Sequence, residues 1–212
     1  MGMIDYRVYL VTDDPSRYVG DWLENIAAAI DGGVTCVQYR DTENDAQTQF
    51  VRIRSLQDML RVRRIPLIVN NDAELAKAVG AEGVHVGQDD MPPDKVRTIV
   101  GPNVEIGLSI RNIADVQRYL ATQIALVDCL GIGPVFDARK TKADAADALG
   151  PTGLRQIVEH VPTVANCAIG GIMVQNAAEV ISAGAKGVAV VSAFSRAEDP
   201  CCVARAFWRM FA

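Results

Sequence analysis

A chain of 212 residues that is 50% apolar can bury one substantial core, and a single domain over residues 1–212 is expected. Its formal charge of −5 and pI near 5.1 offer no basic surface to a polyanion, which argues against nucleic acid while leaving room for a local site for small anions. Five cysteines without a C-x-x-C pair, a short mixed Met1–Asp5 start and no bilayer-length apolar run point to a reducing, cytoplasmic setting and no membrane partner.

Short β-rich runs recur in chain order at Arg7–Thr12, Val34–Tyr39, Pro66–Asn70, Gly83–Gly87, Val104–Ser109, Ala125–Gly131, Thr163–Ile169 and Gly187–Ser192. Between them lie stretches with helical apolar spacing, such as Trp22, Ile26, Ala29 and Ile30 or Leu154, Ile157 and Val158, with stops at Gly32-Gly33, Gly80 and Gly184. Strands alternating with single helices imply parallel pairing through right-handed crossovers, and eight such units close a (β/α)8 TIM barrel. A doubly wound open sheet is the structural alternative. In a barrel the chemistry sits where strands end and βα loops begin.

Alternation along Val34–Arg40 sets Val34, Cys36, Gln38 and Arg40 on one face and Val37 and Tyr39 on the other. If the first set faces the barrel axis, an amide and a guanidinium point into the mouth, suited to a ring nitrogen with its amine and to phosphate. An interior polar layer, or an ion pair of Arg40 with Asp41 or Asp72, is the competing account. Cys36 is expected to pack in the interior.

Asn70-Asn71-Asp72 and Gln88-Asp89-Asp90 follow successive strands, so their oxygens can converge on magnesium, which favours few carboxylates plus substrate phosphate. Helix capping by Asn71 or Asp72 explains the same residues without a metal. Alternation leaves open whether His85 faces the mouth or the helices. With His160 the only other histidine, a structural role is expected for it.

The segment from Gly131 to Lys142 carries Arg139, Lys140 and Lys142 beside Thr141, which suits a lid over a diphosphate as well as a solvated charged loop. Gly170-Gly171 and Val191-Ser192 end the last two candidate strands, the usual phosphate position in this barrel, where glycine lets backbone N–H groups approach an anion.

In order, Val37-Gln-Tyr-Arg-Asp41, Ile68-Val-Asn-Asn71, Gly83-Val-His-Val-Gly-Gln-Asp-Asp90, Gly133-Pro-Val-Phe136, Thr141-Lys142, Ala168-Ile-Gly-Gly-Ile172 and Val190-Val-Ser-Ala193 resemble the thiamin-phosphate synthase family across nearly the whole chain. The resemblance implies a magnesium-dependent transferase that joins hydroxymethylpyrimidine diphosphate to a thiazole phosphate and releases diphosphate. Arg40, Ser109 and Lys142 would be catalytic. Gln38 and Asn70 would join them at the pyrimidine diphosphate, Tyr39, Asp41, Thr42, Arg139 and Lys140 would be further substrate-binding residues, and Thr141, Gly171, Val191 and Ser192 would hold the thiazole phosphate. Asn71 and Asp90 would hold the metal, and a homo-oligomer stays open.

Three positions depart from the family pattern. Thr42 stands where a lysine is usual, Asn71 where the metal carboxylate is usual, and the loop after Phe136 is one residue longer. Two other functions compete with the synthase. One is a thiazole tautomerase-like isomerase, against which Gln38, Arg40, Ser109 and Lys142 speak. The other is a noncatalytic protein that binds a thiamin intermediate.

Overall fold

The computed structural model describes residues 3–138 and 147–211. Eight parallel strands close into a barrel in sequence order: β1 (Val8–Val11), β2 (Cys36–Tyr39), β3 (Leu67–Asn70), β4 (Gly83–Val86), β5 (Glu105–Ile110), β6 (Cys129–Ile132), β7 (Ala165–Ile169) and β8 (Val188–Val190). Pairing of Val8 with Val188 joins the last strand to the first, so no edge is left open. Every expected strand is present, and the open-sheet alternative is excluded.

The intervening helices are α1 (Trp22–Asp31), α2 (Ala46–Arg63), α3 (Ala73–Val79), α4 (Pro93–Val100), α5 (Ile113–Thr122), α6 (Gly150–His160) and α7 (Ala177–Ser182). A short α8 (Ser192–Ser195) and α9 (Pro200–Trp208) complete the chain. Asp21, Asp45, Asp72, Asn112 and Asp199 each accept a backbone hydrogen bond at a helix start, satisfying donors that the first turn leaves without intrahelical partners. Asp72 is thereby committed to capping α3 through Leu75 N at 2.8 Å. At the other ends Gly80 caps α3 in the left-handed region, whereas α2 stops at Arg64, a non-glycine residue with φ 58°.

Each strand contributes to two cores because alternate side chains face opposite ways. The outer layer, between sheet and helices, takes Leu10, Val37, Val69, Val84 and Leu108 against Ile26, Leu56 and Leu154. The barrel interior takes Tyr6, Tyr9, Cys36, Ile68, Cys129 and Cys167, so Cys36 is interior packing. Below this layer Glu105 accepts from the Tyr6 hydroxyl at 2.8 Å and from Ile4 N at 2.7 Å. These bonds tie the N-terminal segment across the lower end of the barrel. Among the described residues no helix is long and apolar enough to cross a membrane.

Candidate active site

The C-terminal ends of the strands surround a cavity of about 580 Å³, a size typical of small-molecule sites. A second hollow of about 450 Å³ lies at the opposite end, against Asp5, Arg61, Arg64 and Glu82. It gathers none of the residues singled out from sequence.

Strand β2 supplies Gln38 and Arg40 to the mouth cavity, with Thr42 following. Gln38 is buried, and its Nε2 donates to the Tyr9 hydroxyl at 2.6 Å. Burial pushes the Tyr9 phenol well above its ordinary pKa, so Tyr9 stays neutral and fixes one amide hydrogen of Gln38. The Arg40 backbone is locked at this level by Thr12, whose Oγ1 accepts from Arg40 N at 2.9 Å and donates to Arg40 O at 3.1 Å.

Tyr39 and Asp41 require a correction, because their side chains do not line the cavity. The strand pleat turns Tyr39 into the outer core, where its hydroxyl donates to Asp41 Oδ2 at 3.1 Å. Asp41 in turn pairs with Arg52 of α2 at 3.1 Å. Burial alone would raise the Asp41 carboxyl, but hydrogen bonds led by the Asn44 side chain outweigh it and hold the group below the ordinary carboxylate range. A carboxylate so engaged anchors the loop after β2 and is not a ligand to the cavity.

Asn70 and Asn71 enter from the end of β3, and Gln88, Asp89 and Asp90 from the turn after β4. Asn71 has φ 63°, a left-handed conformation that Asn and Asp tolerate better than other residues with a Cβ. Its N–H donates to His85 O at 2.8 Å, which ties the two loops together. Asp90 Oδ2 accepts from Gly87 N at 2.7 Å. Asp89 pairs instead with Arg111 at 2.9 Å. Among the described residues no group of three or more His, Cys, Asp or Glu side chains is arranged to hold a metal. Magnesium nevertheless suits the donor set present, because it takes one or two carboxylates together with amide, water and phosphate oxygens.

His85, whose direction alternation leaves open, lines the cavity. Its Nε2 lies 3.0 Å from Ser109 Oγ. Burial lowers its pKa to about 4 against the opposing pull of Asp90, so the ring is neutral at physiological pH. Ser109 is further braced by Gln88, whose Nε2 donates to Ser109 O at 2.7 Å. Tyr9, Cys167 and Arg111 are among the lining residues that escaped the sequence reading. Arg111 follows Ser109 by two residues, and that period of two was the signal available for it.

Gly170, Gly171, Val191 and Ser192 line the far wall. Gly171 has φ 64°, and a Cβ there would sit 2.8 Å from both Phe136 Cβ and Asp137 O. Gly171→Ala should therefore lower the unfolding midpoint by about 2–6 °C, the equivalent of roughly 1–2 kcal/mol of left-handed strain in a chain of this size. Calorimetry showing an unchanged midpoint would contradict the strain. The loop after β6 is joined to this wall by Val135 N to Ile169 O at 2.8 Å and Phe136 N to Gly170 O at 2.9 Å. Ala138 reaches the cavity, whereas Arg139, Lys140, Thr141 and Lys142 lie outside the described residues.

Known proteins resemble this chain over most of its length. The family model described as "Thiamine monophosphate synthase" matches residues 8–194. A thiamine-phosphate synthase of Albidiferax ferrireducens is 44% identical over 198 residues, covering 93% of this chain and 88% of that protein. One from Chloroflexus aurantiacus is 42% identical over 203 residues, covering 96% and 91%. A solved thiamine phosphate pyrophosphorylase from Pyrococcus furiosus superposes with a TM-score of 0.84 at 29% identity, covering 98% of this chain and 96% of that one.

Proposed function

The chain belongs to the thiamine monophosphate synthase family, and from that premise we propose that it is a transferase of thiamine biosynthesis. It joins hydroxymethylpyrimidine diphosphate to a thiazole phosphate alcohol and releases diphosphate. One observation carries the assignment of the site. A single cavity collects Gln38, Arg40, Asn70, Asp90, Ser109, Gly171 and Ser192, which come from six strand ends and are among the residues that the family resemblance selects.

At the floor, Gln38 meets the aminopyrimidine. A primary amide with one hydrogen taken by Tyr9 keeps its carbonyl oxygen and its other N–H for the ring nitrogen and exocyclic amine. Arg40, Asn70 and Ser109 face the diphosphate, with Lys142 as a further cation. Cleavage of the pyrimidine C–O bond leaves charge on the departing diphosphate, and a preorganised guanidinium stabilises that charge as it forms. The thiazole nitrogen then needs to be held near the carbon and needs no base. Backbone donors at Gly171 and Ser192 hold its phosphate, with Val191 and Thr141 alongside.

Asp90 and Asn71 are proposed to hold magnesium, which when bound neutralises charge on the diphosphate. An amide at Asn71 supplies an oxygen donor without a charge, so Asp90 and the substrate provide most of the negative shell. Asn71→Asp should tighten magnesium binding about tenfold, because the new carboxylate keeps the tolerated left-handed backbone and adds charge. Titration of magnesium in the presence of the pyrimidine diphosphate checks this. Equal affinities in the variant and the parent would remove Asn71 from the metal shell.

Besides Arg40, Arg111, paired with Asp89, is the cation that lines the cavity among the described residues, and it is a candidate to replace the one absent at Thr42. Omission assays test the whole proposal. Diphosphate should appear only when both substrates and magnesium are present. Conversion of a thiazole carboxylate phosphate without the pyrimidine would favour the isomerase instead.

A further inference from the structure

We infer that His85 is a positioning residue that commits the Ser109 hydroxyl to donate its proton into the cavity, a role that rests on the synthase reading above. The His85 ring occupies a slot built for it. His85 on β4 is paired directly with Gly107 on β5, and Ser109 on β5 is paired with Gly131 on β6. A Cβ on Gly107 would collide with the ring at Nδ1, and one on Gly131 would sit 2.8 Å from Cε1. The imidazole thus lies across β5 and reaches β6, with two glycines making room for it. Its Nε2 ends 3.0 Å from Ser109 Oγ.

The direction of this hydrogen bond follows from the ligand. A neutral imidazole has one N–H, and a serine hydroxyl has one donor and two acceptor lone pairs. Diphosphate oxygens only accept. If Ser109 gave its proton to His85, it would face them with lone pairs alone. If His85 carries its proton on Nε2, Ser109 accepts from the ring and its own O–H is released toward the anion. The chain then runs from His85 Nε2–H to Ser109 Oγ–H to a ligand oxygen, each bond polarising the next. Gln88, holding the Ser109 carbonyl at 2.7 Å, steadies the backbone that carries this hydroxyl.

Nitrogen NMR of the intact protein with 15N-labelled histidine tests the tautomer without any substitution, since His85 and His160 are the only two histidines. The Nε2–H form is expected, and the Nδ1–H form would overturn the inference. The second arm titrates hydroxymethylpyrimidine diphosphate, with magnesium, into the parent, His85→Leu, His85→Gln, Ser109→Ala and the Leu/Ala double variant. Loss of one such hydrogen bond should weaken binding about five- to tenfold. His85→Leu and Ser109→Ala should each do so, the double variant should be no weaker than either single one, and His85→Gln should recover most of the loss through its amide N–H. Thiazole phosphate affinity should not change. Losses that multiply in the double variant would overturn the role of His85 alone. A parent protein that takes up no pyrimidine diphosphate would instead overturn the synthase reading on which that role depends.

Discussion

Arg40→Ala should lower kcat by roughly 10²-fold while leaving the KM for the thiazole phosphate within about threefold of the parent value. Charge grows on the diphosphate as the C–O bond breaks, so a cation beside it gains more in the transition state than in the ground state. The Arg40 backbone is held by Thr12 through two hydrogen bonds, and neither involves its side chain. Removing the guanidinium should therefore spare the fold, which circular dichroism of the variant would verify. Steady-state kinetics with each substrate varied in turn provides the check. A rise confined to the thiazole KM would move Arg40 to the other phosphate.

Asp90→Asn should have an effect at least as large, on the order of 10²- to 10³-fold in magnesium-dependent turnover. The substitution is informative because Asp90 has two separable roles. Its Oδ2 accepts from Gly87 N at 2.7 Å, and the Asn side-chain oxygen can accept the same bond, so the turn after β4 is retained. Only the negative charge is lost. Calorimetric titration of magnesium, with and without the pyrimidine diphosphate, should show tight binding only in the ternary mixture and a marked weakening in the variant. Full activity in Asp90→Asn would point to Asp89, whose carboxylate would first have to leave Arg111.

The sequence disclosed the barrel because its signals were local and repeated. All eight β-rich runs became strands, and Gly80 stopped α3 as glycine stops do. The site was legible where a residue stands at a strand end with a known partner in period two, as Gln38 and Arg40 do. It was misread where a motif was taken as a run. Tyr39 and Asp41 sit between cavity residues in sequence, but the pleat and the Asp41–Arg52 pair turn them away. The direction of His85 could not come from Gly83–Gly87, since alternation fixes which residues share a face and not which face is inside. What settles it lies on two other strands, in the space left by Gly107 and Gly131. Arg64 ends α2 with φ 58°, and without the glycine usual at such a cap the sequence carried no mark of it.

On the proposed magnesium site, an amide at Asn71 in place of a carboxylate would bear on how the metal is shared between protein and substrate. A site with one carboxylate from the chain binds magnesium chiefly through the diphosphate it is there to neutralise. Metal and pyrimidine substrate should then enter together, coupling recognition of the leaving group to assembly of the charge that helps it depart.

Mixing the purified protein with hydroxymethylpyrimidine diphosphate, thiazole phosphate and magnesium, and following thiamin phosphate and diphosphate together by chromatography, decides whether the proposed transfer occurs. The two products should appear in equal amounts and at a rate proportional to protein. Binding of both substrates with no thiamin phosphate formed would contradict the transfer.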